Sequence, residues 1–254
     1  MIEIQSIDPA NKRQLAAFID FPHDLYAGDP NYVPMLFMEQ EALLNPKKSP
    51  FFQHSTAAYF LAKKDGKIAG RIAAILNRNH IEFTGKQEGF FGFFDAVNEQ
   101  AVANALLDTA AEWLRRQGIA KVVGPANFST NETCGLLVEN FDEPPFIMMT
   151  YNAPYYIELL ENYGFSKNVD LLCYELVDTD LPHDVMEFAG KLEERLASRG
   201  VTIRSINMKK FREEIERFLP VYNESWAENT GFVPMTPEEV RQIGKDLKMV
   251  IDPD

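Results

Sequence analysis

The sequence predicts an α+β protein in which strands and helices pack in layers, followed by the start of a second, similar unit. Segments whose apolar and polar residues alternate, as in strands, are separated by segments whose apolar residues recur at helical spacing. The dipeptide Asp65-Gly66 lies between two strand-like segments and is typical of a hairpin turn. In addition, the pattern of residues 2–35 recurs at 201–235, which indicates an internal repeat.

The elements of the first unit follow from the alternation of apolar residues and from signals at helix ends. The expected strands are IEIQSI (2–7), two strands within 57–76, GFFGFFDAV (89–97), KVVGPANF (121–128) and NVDLLCYELV (168–177). The expected helices are 11–26, 36–44, 98–117 and 154–165. Gly118 directly follows the third of these helices, so we expect it to cap that helix in the left-handed conformation.

The second unit resembles the first in sequence. VTIRSIN (201–207) matches IEIQSID (2–8), and NTGFVPM (229–235) matches DPNYVPM (29–35). A helical segment lies between the two matches in each copy, and another follows the second match, TPEEVRQIGKDLKMVI in the later copy. Tandem copies of one domain would explain this pattern, and a chance similarity of two unrelated strand-helix units is the alternative.

The repeat sets the predicted domain boundaries. We predict a domain at 1–178, a linker helix at 179–200 and a partial second unit at 201–254 that holds its first strand and its helices. A first strand without the rest of its sheet would leave an open edge. We therefore expect either a fragment of a longer gene product or a truncated copy whose helices pack against the first domain.

Composition and charge restrict the class of partner. Hydrophobic residues make up 46% of the chain and charged residues 25%, which is typical of a folded globular protein. The formal net charge of -13 opposes binding to nucleic acid or to an anionic membrane, because both need a basic surface. No apolar run approaches the roughly 20 residues that span a bilayer. We expect a small-molecule amine as partner, no nucleic acid and no membrane, with a homodimer as an open alternative.

Cysteine usage and the N-terminal sequence predict a cytoplasmic location. The two cysteines, Cys134 and Cys173, form no C-x-x-C motif, and MIEIQSIDPANKR has no apolar signal region. Cys134 has no histidine in a recognisable relation to it, so a buried inert thiol is preferred over a nucleophile. The four histidines show no ligand spacing, and no metal site is predicted.

The junction between the strand 89–97 and the following helix raises two alternatives. A helix N-terminus after a strand is suited to bind phosphate, because unpaired N–H groups and the helix dipole both point there. The turn here contains no glycine, and it carries two acidic residues, Asp95 and Glu99. The alternative is therefore a structural junction in which Asp95 or Asn98 caps the helix.

Three stretches of the first unit carry a resemblance to a known family. They are the hairpin that leads into GFFGFFDAV, the helix that ends in AEWLRRQG, and the segment YYIELLENYGF before the last strand. Together they resemble the GNAT superfamily of acetyl-CoA-dependent N-acyltransferases. The resemblance implies a mixed, mostly antiparallel sheet with helices on both faces, opened into a V between the strand ending at Phe94 and the strand 121–128. The longer pattern 124–165 is similar to uncharacterised bacterial proteins with two GNAT domains.

The resemblance also implies a cofactor site for acetyl-CoA or another acyl-CoA. In the family, the fourth strand pairs with the pantetheine arm, and the turn after it surrounds the pyrophosphate with N–H groups. The positions carried over are Phe93, Phe94, Asn98, Glu99, Gln100, Ala101, Val102 and Ala103. The family's basic residue falls on Asn98, and its two small positions fall on Ala101 and Ala103. The missing glycines and the missing positive charge predict a weakened cofactor turn.

Candidate catalytic groups follow from the chemistry of amide formation. A general base must take a proton from the amine, and Glu132, in NFSTNETCG after a strand, is the best-placed carboxylate. Its alternative role is that of a loop residue that orders the turn. The family often has a tyrosine that protonates the leaving thiolate, but the matching position here is Leu160. Tyr155, Tyr156 and Tyr163 lie nearby and are candidates for that role, with core packing as the alternative.

Two functions remain open at this stage. The first is an N-acyltransferase that moves an acetyl or other acyl group from coenzyme A to a small-molecule amine by direct attack. The second is a non-catalytic GNAT-like scaffold that binds another ligand or mediates dimerisation, which the altered cofactor turn would favour.

Overall fold

The structure is a computed structural model that describes residues 1–175, 177 and 183–247. Within these residues one sheet has five strands, which lie side by side in the order of the sequence. They are β1 (Ile2–Ile7), β2 (Thr56–Lys64), β3 (Lys67–Leu76), β4 (Glu88–Ala96) and β5 (Lys121–Val123). The pairs β1–β2, β2–β3 and β3–β4 are antiparallel, and the pair β4–β5 is parallel. The predicted class, a mixed and mostly antiparallel sheet flanked by helices, is confirmed.

Helices cover both faces of this sheet. The described helices are α1 (Lys12–Leu25), α2 (Phe37–Leu44), α3 (Arg78–Thr84), α4 (Gln100–Arg116), α5 (Tyr155–Tyr163), α6 (His183–Ala197), α7 (Phe211–Trp226) and α8 (Pro237–Leu247), and α1, α4 and α5 supply core side chains on the two faces. Short 3-10 turns lie at Pro50–Gln53 and Met208–Lys210. Gly118 follows α4 with φ 83, as its position predicts. The sequence reasoning missed α3, which Asn77 caps by accepting from the His80 N–H.

Two apolar layers hold the helices on the sheet. In the first, Leu106, Leu107 and Leu114 of α4 pack with Phe91 and Phe94 of β4 and with residues of α5. In the second, residues of α1 and the 3-10 turn Pro50–Gln53 pack with Phe93 of β4 on the opposite face. Burying each of these side chains contributes roughly 1.5 to 3 kcal/mol. Phe91 and Phe93 lie on opposite faces although they are two residues apart, so β4 departs from strict alternation between them and presents Phe91 and Phe94 to α4 and α5 and Phe93 to α1.

The strands β4 and β5 diverge after a short paired stretch. Only Glu88–Phe90 pairs with Lys121–Val123, although β4 continues to Ala96. Beyond the pair, the chain stays close to β4 for a few residues more, because the Ala126 N–H donates to the Phe91 carbonyl at 2.8 Å and a Cβ on Gly92 would lie 2.1 Å from the Ala126 carbonyl oxygen. The strands β4 and β5 are therefore not hydrogen-bonded along their whole length. The GNAT resemblance implies such a separation of the two strands. The predicted strand 121–128 was too long, because Pro125 has no N–H with which to continue the ladder.

Two other predicted strands are wrong within the described residues. Residues 168–175, 177 and 201–207 have no strand structure. Their apolar side chains lie in solvent: Leu172 is 73% exposed and Ile203 is 63% exposed. Both segments alternate as strands do, but no described strand lies beside either of them to supply backbone partners. The remaining positions of the expected strand, linker helix and last helix, 176, 178–182 and 248–254, lie outside the described residues.

The helical part of the internal repeat has the same local structure in both copies. The helices α1 and α7 start at Lys12 and Phe211, and α2 and α8 start at Phe37 and Pro237. A turn and an extended stretch join the two helices in each copy. The first strand of the second copy is absent, as described above, so the tandem domain organisation and its boundaries stay a prediction.

Candidate active site

The irregular point of β4 lies opposite the break in its pairing with β3. The register shifts between Arg71 and Ala73, and Phe93 has φ 47 there, which marks a bulge. The Phe93 N–H donates to the side-chain oxygen of Asn127 at 2.7 Å. The resemblance assigns backbone groups of this strand to the pantetheine arm and the thioester carbonyl. In this structure the backbone N–H of Phe93 is already bonded to the side chain of Asn127.

The turn after β4 keeps unpaired N–H groups at the start of α4. The N–H groups of Val102 and Ala103 bond to the Glu99 carbonyl, and both side chains are buried in the core. Those of Asn98, Gln100 and Ala101 bond to none of the described residues. Three donors therefore remain for a ligand at the positive end of the helix dipole. Val102 and Ala103, which were predicted to bind cofactor, have no free N–H to offer.

The two acidic residues of the turn are directed to cationic partners. The Asp95 carboxylate is buried and accepts from Arg71 Nε at 2.7 Å. The Glu99 carboxylate pairs with Lys64 Nζ at 2.5 Å, and this bond raises the pKa of Lys64. Each negative charge thus faces a positive one, which reduces the repulsion that a pyrophosphate would meet at this turn.

Two tyrosines of α5 cover the end of β4. The Tyr155 hydroxyl donates to the Ala96 carbonyl at 2.8 Å, and the Tyr156 hydroxyl accepts from the Ala96 N–H at 3.0 Å. Tyr156 is buried, and its hydroxyl also bonds to Tyr26 and Asp95. Burial, and next the charge of Asp95, raise the pKa of Tyr155 to about 12 and raise that of Tyr156 as well. Tyr155 is the less buried of the two, so it is the better placed to reach a ligand.

The helices α4 and α5 also meet directly beside this edge. Gln100 Nε2 donates to the Leu159 carbonyl at 2.9 Å, and the Tyr163 hydroxyl donates to Asp108 at 2.9 Å. Tyr163 therefore faces α4 rather than β4, unlike Tyr155. Next to it lies a groove of about 450 Å³ between α4, β5 and residues 163–168, within the size range of small-molecule sites.

Glu132 lies at the tip of a closed loop on the face of the sheet that α1 covers. The Asn127 N–H donates to the Thr133 carbonyl at 2.9 Å, which closes the loop, and the Glu132 N–H donates to the Ser129 carbonyl at 3.2 Å. Phe128 of this loop stacks on Phe51 at 4.3 Å and belongs to the apolar layer of that face. The loop that carries Glu132 therefore also carries Asn127, the residue bonded to the bulge of β4.

The Glu132 side chain lies in an environment that raises the pKa of its carboxyl group. It is half-buried, and its carboxylate bonds to no other described residue. Burial, and then the charges of Glu39, Glu239 and Asp246, raise its pKa to about 7. Within the described residues, Glu132 thus contributes to the order of the loop through its N–H and not through a hydrogen bond of its carboxylate. A carboxylate that ionises near neutral pH can take a proton from an ammonium group.

The surroundings of Glu132 come from separate parts of the chain. Glu39 lies on α2, and Glu239 and Asp246 lie on α8. His54 Nε2 lies 3.0 Å from the Glu239 carboxylate.

Within the described ranges, no three histidine, cysteine, aspartate or glutamate side chains are placed to hold a metal ion. None of the described helices combines the length and the apolar character needed to cross a bilayer.

Sequence reasoning missed several of these residues. The pairing of Arg71 with Asp95 and the approach of Glu239 to Glu132 join distant segments, and no local signal marks either of them. The bond from Phe93 to Asn127 could be predicted in part, because the segment NFSTNETCG contains side chains typical of an ordered turn.

Two curated relatives are similar to nearly the whole chain. Protein YghO of Escherichia coli (strain K12) is 39% identical over 244 residues, which are 96% of this chain. A protein named bacterial ceramide synthase, from Caulobacter vibrioides, is 38% identical over 240 residues, which are 94% of this chain. The chain spans 62% of the length of each relative. No protein-family model matches the sequence.

Several solved structures of proteins named acetyltransferases or GNAT proteins are similar to part of the chain. One is a predicted acetyltransferase from Clostridium acetobutylicum with acetyl-CoA, at 14% identity and a TM-score of 0.41 over 72% of this chain and 100% of that chain. Another is a tandem GNAT protein from the clavulanic acid biosynthesis pathway, at 11% identity and a TM-score of 0.43 over 65% of this chain and 43% of that chain.

Proposed function

We propose that this chain belongs to the GNAT superfamily and takes part in transferring an acyl group from a coenzyme A thioester to the amine of a long-chain amino alcohol. The observation that carries the proposal is the 38% identity with a bacterial ceramide synthase over 94% of the chain. A ceramide is the amide of a long-chain amino alcohol and a fatty acid. The strand arrangement and the base at Glu132 support the same chemistry.

Glu132 acts as the general base in this proposal. The amine reaches the site as an ammonium ion, and the carboxylates around Glu132 favour a cation there. Glu132 takes one proton, and the nitrogen lone pair attacks the thioester carbonyl carbon. The C–N bond forms as the C–S bond breaks, and the second proton of the nitrogen passes to the leaving sulfur, which departs as the thiol of coenzyme A. A pKa near 7 suits a base that must be ionised at neutral pH and accept a proton during the reaction.

The β4 edge and the start of α4 bind the acyl-CoA. The free N–H groups of Asn98, Gln100 and Ala101 take the pyrophosphate, and the backbone of β4 takes the pantetheine arm. Asn127 and Tyr155 exchange their bonds to β4 for bonds to the ligand, an exchange of small net free energy because similar bonds replace each other. Tyr155, freed from Ala96, relays the second proton of the nitrogen: its hydroxyl donates to the leaving sulfur and takes up the proton that the nitrogen loses.

The assay for this function detects the amide product. Purified protein is incubated with a long-chain acyl-CoA and a long-chain amino alcohol, and mass spectrometry follows the N-acyl product together with free coenzyme A. We expect equal amounts of both products. Glu132→Gln should lower the rate by about 100-fold, which is the lower end for loss of a general base. Glu139→Gln, exposed in the same segment, should leave it unchanged. A full rate in Glu132→Gln would remove the assigned base.

A non-catalytic scaffold is the second candidate, and the covered β4 edge favours it. Asn127, Tyr155 and Tyr156 already satisfy the backbone groups that a pantetheine arm would need. Thermal unfolding with added coenzyme A separates the two functions. A ligand at 100 times its dissociation constant stabilises the folded state by about 2.7 kcal/mol. The acyltransferase proposal predicts such an increase, and an unchanged melting temperature at millimolar coenzyme A would favour the scaffold.

A further inference from the structure

We propose that Asn131 and Tyr222 are positioning residues, through which the C-terminal part of the chain holds the turn that carries Glu132. This inference rests on the proposed function, because it concerns the base of that reaction. It gives residues 222–239 a part in the acceptor side of the site, although they lie about 100 residues from Glu132 in sequence.

The two sides of this contact meet through a set of specific hydrogen bonds. The Tyr222 hydroxyl donates to the side-chain oxygen of Asn131 at 2.8 Å, and the Asn131 amide donates to the Val233 carbonyl at 3.0 Å. Thr130 donates to the Gly231 carbonyl at 2.9 Å. Both side-chain groups of Asn131 are thus used, and the residue directly before Glu132 is fixed from two elements.

The contact is also close at the level of the backbone. Gly231 has φ 77, and a Cβ there would lie 3.0 Å from the Thr130 methyl carbon. A side chain at 231 would therefore push against the turn. A few residues later the segment is bonded to α7, because the Asn223 side chain bonds to both the N–H and the carbonyl of Met235.

The same contact determines which charges face Glu132. Glu239 and Asp246 approach it from α8, and Glu39 approaches it from α2. His54 faces this group through its bond to Glu239. If the turn loosens, Glu132 gains water and moves away from the α8 carboxylates. Its pKa should then fall toward the ordinary range of a glutamate, and the base should lose its fixed direction.

Two matched pairs of variants test the inference. Tyr222→Phe removes one donor and keeps the ring, and Tyr174→Phe is its control, because Tyr174 is exposed. Gly231→Ala introduces a Cβ against Thr130, and Gly200→Ala is its control, because Gly200 has φ 80 with nothing near its Cβ position. Both glycine variants carry the same backbone strain, and they differ in contact with the turn.

The readouts are the acyl-transfer rate and the titration of Glu132. We expect Tyr222→Phe and Gly231→Ala to lower kcat by about fivefold with KM for acyl-CoA unchanged, the effect of one lost hydrogen bond. We also expect the acid limb of kcat/KM to move to lower pH, which a loss of folded protein would not cause. The controls should match the native protein. Unchanged kcat and an unchanged acid limb in both test variants would overturn the inference.

A second readout keeps this test separate from the proposed function. Carboxyl-carbon NMR follows the ionisation of Glu132 without any substrate, and Glu132→Gln assigns the signal. If the protein transfers no acyl group, the proposed function fails, but the NMR midpoint still tests the positioning. A midpoint that falls in Tyr222→Phe and Gly231→Ala supports it, and one that stays at the native value in both contradicts it.

Discussion

The hydroxyl of Tyr155 donates a 2.8 Å hydrogen bond to the carbonyl of Ala96, the last residue of β4. Together with Tyr156, it joins α5 to the strand edge that the GNAT resemblance assigns to the cofactor. The same edge is bonded to Asn127 at its bulge. In the proposed function, acyl-CoA binding therefore competes with bonds that the protein makes to itself.

Removing the Tyr155 hydroxyl should separate binding from chemistry. Tyr155→Phe frees the Ala96 carbonyl, so coenzyme A should bind about fivefold more tightly, the equivalent of one net hydrogen bond. The same variant should lower kcat, because the thiolate loses its proton donor. Calorimetric titration measures the affinity. Tyr163→Phe, whose hydroxyl faces Asp108, is the control and should change neither quantity. Weaker binding in Tyr155→Phe would contradict this prediction.

The turn after β4 can be made more like the family pattern at two of its three altered positions. Asn98→Arg with Ala101→Gly adds a phosphate-pairing charge and removes an exposed Cβ, so the affinity for coenzyme A should rise. Adding Ala103→Gly should not raise it further, because the Ala103 N–H is bonded to Glu99 and its side chain is buried. That third change should lower stability by about 1 kcal/mol. Titration calorimetry and thermal unfolding compare the double and triple variants.

The buried pair of Arg71 and Asp95 should be essential for stability. Asp95→Asn removes the charge opposite Arg71, which also bonds to the Phe18 carbonyl inside the core. An unpaired buried charge costs about 3 to 5 kcal/mol. Urea unfolding should show a loss of that order, and Asp20→Asn, on the exposed side of α1, should show almost none. Equal midpoints for the two variants would mean that water or another group compensates Arg71.

Glu132 should make the protein less stable as the pH rises. Its folded pKa of about 7 lies above the ordinary value of about 4.3, so the folded state binds more protons between these two values. Its unfavourable contribution is absent below pH 4, grows through this window and is constant above it. Glu132→Gln should therefore stabilise the protein by up to about 3 kcal/mol at pH 8 relative to pH 4.

The measurement for this prediction is urea unfolding across the pH range. Glu139→Gln is the control, because this exposed residue has no such surroundings, and its difference from the native protein should not vary with pH. A constant difference between Glu132→Gln and the native protein from pH 4 to pH 8 would show that the native carboxyl ionises normally.

Local signals predicted most of the first unit. The turn Asp65-Gly66 and the cap at Gly118 fixed the hairpin and the end of α4, because both depend on backbone conformations that few residues adopt. The helix α3 carried similar signals in Asn77 and Gly85 and was predictable in the same way. In contrast, the alternating segments 168–177 and 201–207 did not give strands in the described residues. A strand needs a neighbour, and alternation within a segment does not specify one.

The candidate base could be predicted from its chemistry, whereas the contacts that surround it could not. Glu132 could be selected because a carboxylate in a polar turn after a strand suits a base, although its role stays a proposal. Its raised pKa depends on Glu239 and Asp246, which approach from over 100 residues away in the sequence. The covering of Ala96 by Tyr155 likewise depends on how α5 packs. Such contacts follow from tertiary packing, which single-sequence patterns do not contain.

The pH dependence of kcat/KM for the transfer of an acyl group from acyl-CoA to a long-chain amine tests the central claim most directly. This profile reports the ionisation of essential groups in the free enzyme. If Glu132 is the base, activity should rise with pH through an acid limb near pH 7, and the limb should be absent from the residual activity of Glu132→Gln. A profile that is flat from pH 5.5 to 8, or one in which Glu132→Gln keeps the same limb, would contradict the account.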